Sequence, residues 1–288
     1  MDIEILTQNT LYRILSRLKN NVNKGDLGTL TVVAGSSNYR GAASLCSGAA
    51  LKTGVGIVRL VSVEKACACT AYLNPSCTFL SISENDQGMM SYADLSTKNI
   101  TEKSTALLCG CGLGQSDDTQ NIVSSVISSE IPKVIDADAL NIISRDIDSY
   151  SLDGVIITPH IGEMARLCKK GIAEIKADRP SAALEFSKEH SCITVLKDDI
   201  TYITSPDGNV FESSLGNAGL AKGGSGDVLA GFIAGFLAQG YKAIDSALAG
   251  TVLHGLCARL CEAENGRRAM SPSQLSDYAS IVFKNLGV

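Results

Sequence analysis

Asp227 stands inside "GNAGLAKGGSGDVLAGFIAGFLAQG", residues 216–240, where three glycines and a serine come just before one carboxylate and an almost wholly apolar segment follows. Gly223, Gly224 and Gly226 allow a tight turn that brings several backbone N–H groups together. A helix opening at Asp227 adds unpaired amide donors and the positive end of its dipole. Gly224, Ser225 and Gly226 therefore read as an anion hole for a phosphoryl group in transfer. The carboxylate on its threshold reads as the base that takes a proton from an attacking oxygen. The plainer reading is that Asp227 caps the helix, which Asp does well. A cap alone does not require that loop.

"TPHIGE", residues 158–163, places His160 and Glu163 three apart after a strand-like run. His160 can hydrogen-bond or stack on a polar ligand. Glu163, one helical turn on, either holds magnesium through water or simply charges a helix start, and both readings stand open. Other motifs are negative. "GSSNYRGA" has no Lys-Ser/Thr ending and "GGSGD" no Lys after it, so there is no Walker A loop. "GCGLGQ" approaches a dinucleotide fingerprint, but its last Gly falls one place early and no helix-opening Gly follows, which disfavours a Rossmann oxidoreductase. The ten cysteines include two C-x-C pairs, Cys67/Cys69 and Cys109/Cys111, but no C-x-x-C. His160, His190 and His254 stand at no zinc spacing from them. Most of these cysteines read as small buried apolar side chains, and no structural zinc is expected.

The elements that must position these residues alternate along the chain. "GTLTVVAG" (28–35), "GIVRLVSV" (56–63), "TALLCGCGLG" (105–114), "PKVIDADALN" (132–141), "GVIITPHIGE" (154–163) and "SCITVLKDD" (191–199) each read as an apolar strand ending in polar or glycine residues. Helix-capable segments separate them, among them "GAASLCSGAALKTG" (41–54). Such strands mean a mostly parallel α/β sheet covered on both faces. "DITYITSPDGNVFES" (199–213) breaks the rhythm and reads as a hairpin near a sheet edge. Beyond Ser225 the chain reads as helical. Gly231 and Gly235, four apart in the apolar helix, predict close packing against a neighbour. Ligands of open α/β sheets bind beyond the carboxyl ends of the strands, where these polar residues concentrate.

The 288 residues are 45% hydrophobic with few aromatics and no Trp, which suits one large α/β domain spanning 1–288. A net charge of −5 and a pI near 5.3 make nucleic acid and acidic membrane surfaces poor partners. "MDIEILTQNTLYRIL" lacks the plan of a signal peptide, and the apolar run Val228–Ala238 is too short for a bilayer. The expectation is a cytoplasmic protein that does not enter membranes.

Taken together, "GTLTVVAGSSNYRGAASLCSGAALKTGVGIVRL", "VIDADALN", "ITPHIGEMARL", "LKDDIT" and the Asp227 segment resemble, in the same order, the ADP/ATP-dependent NAD(P)H-hydrate dehydratases. The resemblance runs over residues 24 to 265. It implies a ribokinase-like three-layer sandwich and a nicotinamide nucleotide repair reaction. Hydrated NADH or NADPH, in its S-form, is phosphorylated on the hydroxyl at the expense of ADP or ATP with Mg2+, and phosphate then leaves. Carried over, Asp227 takes the hydroxyl proton and contacts the substrate, with the Gly224–Gly226 amides on the phosphoryl group and Gly226 also on the nucleotide. Lys197, Asp198, Asp199, Ile200 and Thr201 hold the nucleotide. Ala42, Gly112 and His160 line the hydrate pocket, His160 being expected to lie away from "KDDIT". Family members are often homotetramers, and the fused epimerase domain frequent in the family is expected to be absent.

This chain departs from the family pattern in having Asp198 where Gly is usual, and Cys111 and Ala218 where Pro is usual. Two other readings compete. A small-molecule kinase of the same fold, acting on a hydroxymethylpyrimidine, a thiazole alcohol or a sugar, would use the same glycine loop and Asp227. Such kinases more often carry Asn where His160 stands. A nucleotide-sensing module would keep the loop but would not need the acid.

Overall fold

The computed structural model describes residues 2–18 and 21–288. Its strands are β1 (Glu4–Ile5), β2 (Thr29–Val33), β3 (Ile57–Val63), β4 (Thr78–Ile82), β5 (Ala106–Cys109), β6 (Lys133–Ile135), β7 (Ile156–Ile157), β8 (Ile193–Leu196), β9 (Thr201–Thr204) and β10 (Val210–Ser213). They form one sheet in the order β1-β10-β9-β8-β7-β6-β5-β2-β3-β4. Pairs are parallel except where β9 meets β8 and β10. β9 and β10 are the expected hairpin, with Gly208 at φ 97 donating its N–H to the Ser205 carbonyl at 3.0 Å.

The helices are α1 (Gln8–Ile14), α2 (Arg40–Lys52), α3 (Glu64–Leu73), α4 (Tyr92–Leu95), α5 (Asp117–Ile127), α6 (Ala137–Ile143), α7 (Ile161–Leu167), α8 (Ile172–Ala177), α9 (Arg179–Glu189), α10 (Ser225–Ala238), α11 (Ala243–Asn265), α12 (Pro272–Leu275) and α13 (Ala279–Leu286). α10 packs on β5, β6 and β2 and is flanked by α2 and α11, with α3 beyond α2. The run from α5 to α9 covers the opposite face. The apolar strands are buried between these layers, β5 and β8 along their whole length.

The apolar helix α10 is buried from Val228 to Ala238. A Cβ on Gly231 would lie 2.3 Å from the Cys46 carbonyl oxygen, and one on Gly235 2.4 Å from Thr53 Oγ1. Each glycine costs a helix about 1 kcal/mol against Ala, and what it permits here is close contact with α2. Among the described residues no helix is long and apolar enough to cross a membrane.

Several boundaries differ from those read in the sequence. β6 ends at Ile135, and "PKVIDADALN" is already helix from Ala137 on, as the start of α6. "GVIITPHIGE" contributes only Ile156–Ile157 to the sheet before Pro159 turns the chain. β1 and β4 were not expected. β1 is two residues long, and β4 is largely exposed at the far edge, so neither shows a continuous apolar run.

Candidate active site

The carboxyl ends of β6, β7 and β8 deliver Asp136, His160 and Lys197 to one cavity of about 810 Å³. The turn from β8 to β9 adds Asp198, Asp199 and Thr201, and the start of α10 adds Gly224, Ser225, Gly226 and Asp227. Asp227, Glu163 and the members of the expected anion hole thus share one space with most of "KDDIT". Ile200, Ala42 and Gly112 are not in that lining. Gly112, at φ 60, packs elsewhere: a Cβ there would lie 2.7 Å from Tyr39 Cβ and 2.8 Å from Ala42 Cβ.

α10 opens two residues before the expected position. Gly224 is its N-cap at φ 103, a conformation that suits glycine, and a Cβ there would meet Leu45 Cδ1 at 2.6 Å. No side chain caps the helix, and Asp227 lies inside the first turn. The capping reading of Asp227 is therefore overturned, because its carboxylate is turned to the cavity rather than back onto the amides. Burial pushes its pKa up to about 6, helped by the Asp136 charge and opposed by the Cys111 thiol and Lys197. Such a group is ionised at neutral pH and basic enough to accept a proton.

Lys197 brings a cation to the same place. Its Nζ is 2.9 Å from Asp136 Oδ1 and would lie 3.3 Å from a Cβ on Gly226, so the ammonium sits close against the turn. Burial alone would lower the lysine pKa, but the Asp136 and Glu163 charges raise it above the usual value. Asp136 is 1% exposed and also accepts the Thr158 hydroxyl at 2.7 Å. The next residue, Ala137, lines the cavity at φ 51, a strained backbone that non-glycine residues keep chiefly at functional sites. Among the described residues, only Cys111, Asp136 and Asp227 bring three metal-ligand-type atoms within 4.8 Å of one another. The cation in that cluster is the protein's own ammonium on Asp136.

His160 and Glu163 form a capping box at the start of α7. His160 Nδ1 accepts the Gly162 N–H at 2.9 Å, and Glu163 Oε2 accepts the His160 N–H at 2.8 Å. Of the two readings of Glu163, its place at a helix start is observed. Its Oε1 lies 3.5 Å from His160 Nε2. Burial pushes Glu163 up to about 7. Burial, Lys197 and Arg166 lower the His160 pKa, so the imidazole is neutral; with Nδ1 accepting, its proton is assigned to Nε2. His160 does not lie away from "KDDIT". β7 and β8 are neighbours, and a backbone bridge joins His160 directly to Lys197.

Asp198 and Asp199 are both paired with Arg179, the former at 3.0 Å, and the guanidinium lies 5.5 Å from the centre of the Tyr202 ring. The two acids are thus partly neutralised before any polyphosphate approaches. Asp136, Lys222, Thr251 and His254 also line the cavity without having been singled out in the sequence. Lys222 donates to the Arg268 carbonyl at 2.8 Å and also to that of Met270, pinning the glycine turn. Ser225 Oγ, Thr251 Oγ1 and His254 Nε2 are buried without a protein partner. Burial pushes His254 down to about 4. Asp136 carried a signal, an acid at a strand end. Thr251 and His254 carried none, because inside an apolar helix they look like core residues.

An open α/β sheet with a carboxylate, helix amides and an ammonium converging beyond its strand ends has the parts of a phosphoryl-transfer site. The fold is ribokinase-like: a ribokinase-like superfamily protein from Enterococcus faecalis V583 superposes with a TM-score of 0.86 at 24% identity, over 99% of this chain and 96% of that one. The NAD(P)H-hydrate dehydratase family model matches residues 30–280, and the chain belongs to that family. It is 35% identical over 250 residues to the ADP-dependent (S)-NAD(P)H-hydrate dehydratase of Neisseria meningitidis, covering 85% of this chain and 80% of the relative. The crystal structure of ADP/ATP-dependent NAD(P)H-hydrate dehydratase from Bacillus subtilis, co-crystallized with ATP/Mg2+, matches with a TM-score of 0.87 at 28% identity, over 99% of both chains. The chain spans about half the length of the bifunctional NAD(P)H-hydrate repair enzymes it matches in Thermofilum pendens and Moorella thermoacetica, 50% and 52% of them.

Proposed function

We propose that this chain is an ADP- or ATP-dependent dehydratase that returns the S-form of hydrated NADH or NADPH to the reduced dinucleotide. The hydrate's hydroxyl oxygen attacks the terminal phosphorus of the nucleotide while Asp227 takes its proton, and the shortened nucleotide leaves. The new C–O–P linkage then breaks at carbon, inorganic phosphate departs, and loss of a ring proton restores the double bond. The observation that carries this reading is the convergence of Asp227, free of any capping duty, with the Gly224–Gly226 turn and Lys197 on one cavity. Amides and ammonium meet the charge on the phosphoryl group while the carboxylate removes the proton.

In this reading the β8–β9 turn holds the nucleotide, with Lys197 and Thr201 facing the cavity, and Arg179 keeps Asp198 and Asp199 from repelling it. Ile200 contributes through the backbone of that turn. His160, with its proton on Nε2, binds the hydrate, and Ala42 and Gly112 shape the adjoining wall. Magnesium, when bound with the nucleotide, shares the phosphate charge, and Glu163 Oε1 fits it through water. The enzyme acts in the cytoplasm and assembles as a homo-oligomer through its ribokinase-like domain. The test is incubation with hydrated NADH plus ADP, and separately plus ATP. Return of the reduced-nicotinamide absorbance is expected, with the higher specificity constant for ADP. A stable phosphorylated product that accumulates would instead mark a kinase.

A further inference from the structure

Two carboxylates meet in the wall of the cavity, and they are not equally provided for. Asp136 receives Lys197 and Thr158, both on Oδ1. Its Oδ2 is turned to Cys111, whose thiol donates to it at 3.7 Å. Cys111 Sγ and the nearest oxygens of Asp136 and Asp227 all lie within 4.8 Å of one another. No hydrogen bond of the described residues reaches the Asp227 carboxylate, and the Cys111 thiol beside it favours its ionised form. Like charges at this separation, largely out of water, repel strongly.

The thiol itself is held in place. Cys111 is wholly buried, and its carbonyl accepts the Gly35 N–H at 2.8 Å. It is flanked by Gly110 at φ 125, where a Cβ would strike the Asp136 carbonyl oxygen at 1.9 Å, and by Gly112 at φ 60. The loop after β5 is thus pressed onto Asp136. The neighbouring Cys46 thiol, burial and the two carboxylates keep the thiol far above its usual pKa, so it carries its proton at every working pH. A thiol is a weak donor, but its bond to an ionised acceptor is strengthened.

We propose that Cys111 is a positioning residue for the general base, its S–H proton lying between the Asp136 and Asp227 carboxylates, screening one from the other and keeping Asp227 ionised and turned to the cavity. The proposal rests on the dehydratase reading only in calling Asp227 the base. The groups around Asp227 are Asp136 and, from α6, Asp138, both of which favour its protonated form, against Lys197 at the end of β8 and Cys111, which favour the ionised form. From α11 the neutral His254 stands against the Ser225 backbone, and from α2 Cys46 stands against Cys111.

The test joins a spectrum to a pH profile. The S–H stretch of Cys111 is isolated by infrared difference as the band lost in Cys111→Ser, then recorded in Asp227→Asn. A shift to higher frequency is expected, since a neutral acceptor holds the thiol less tightly. In parallel, the acid limb of kcat/KM is expected to move to higher pH in Cys111→Ala and to return toward wild type in Cys111→Ser, whose hydroxyl is still a donor. An S–H band that ignores Asp227→Asn overturns the proposal, as does an acid limb unmoved in a Cys111→Ala protein with a wild-type circular dichroism spectrum. If the wild type does not turn over the hydrate, the dehydratase reading fails, and the infrared band alone decides whether the thiol serves Asp227.

Discussion

A carboxylate in a glycine-rich turn is worth little as a base unless its pKa is brought toward neutrality, and the surroundings of Asp227, the proposed base, bring it there. Burial and a second acid push it up to about 6, while a thiol and an ammonium stop it going further. Asp227→Asn keeps the size and removes the basicity, so turnover is expected to fall by about 10²- to 10⁴-fold with both ligands still bound. Wild-type kcat/KM should rise with pH through about 6 as Asp227 ionises. Stability carries the opposite sign. The folded carboxyl binds its proton more tightly than the unfolded one, so the ionised form costs stability above pH 6, and the cost fades as pH falls toward about 4. Asp227→Asn is therefore expected to be more stable than wild type at pH 8, by about 1–3 kcal/mol in urea titrations, and equal to it near pH 4. An Asn variant that turns over within a few-fold of wild type would remove Asp227 from the mechanism.

Helix starts are where secondary structure and chemistry meet in this protein. α10 is capped by a glycine and leaves its amides to the cavity, whereas α7 is capped by His160 and Glu163. Gly224→Ala forces a side chain into a left-handed backbone and against Leu45. It should cost about 1–2 kcal/mol from the backbone alone and raise KM for the nucleotide more than it lowers thermal stability in proportion. His160→Ala breaks the capping box and should cost about 0.5–2 kcal/mol, most of which His160→Asn recovers, because Asn also caps. Equal melting temperatures for the Ala and Asn variants would show that the cap contributes nothing. Since His160 adjoins Lys197, its loss is expected to weaken both ligands, not the hydrate alone.

At the scale of the molecule, the ends of the central strands and the starts of α7 and α10 together carry the candidate site, and the helical layers hold the sheet from both faces. The stability of such a fold comes from its buried apolar layers. Removing divalent metal with a chelator should therefore leave the melting temperature unchanged and abolish turnover, which added magnesium restores. A melting temperature that drops on chelation, or stoichiometric zinc in the purified protein, would mean that a metal holds the fold. All ten cysteines are free, and eight of them are buried, consistent with their reading as small core side chains.

The sequence by itself determined what is local. Apolar runs ending in glycine mark the parallel strands, Pro206, Asp207 and Gly208 mark the hairpin, and spaced glycines mark the side of α10 that meets α2. The glycine turn before Asp227 marks the candidate anion hole, and Gly224 there takes the left-handed backbone that glycine tolerates best. Which strand ends are neighbours is not local, and the tertiary structure alone decided it. β7 beside β8 puts His160 against Lys197, although 37 positions separate them in the sequence. β6 beside β5 puts Asp136 against Cys111, and the packing of α10 on both strands brings Asp227 to that pair. Spacing in the chain records backbone angles and periodicity, whereas pKa values and proton positions depend on charges that arrive from distant segments. The proposed base was therefore legible in the sequence, and the groups that tune it were not.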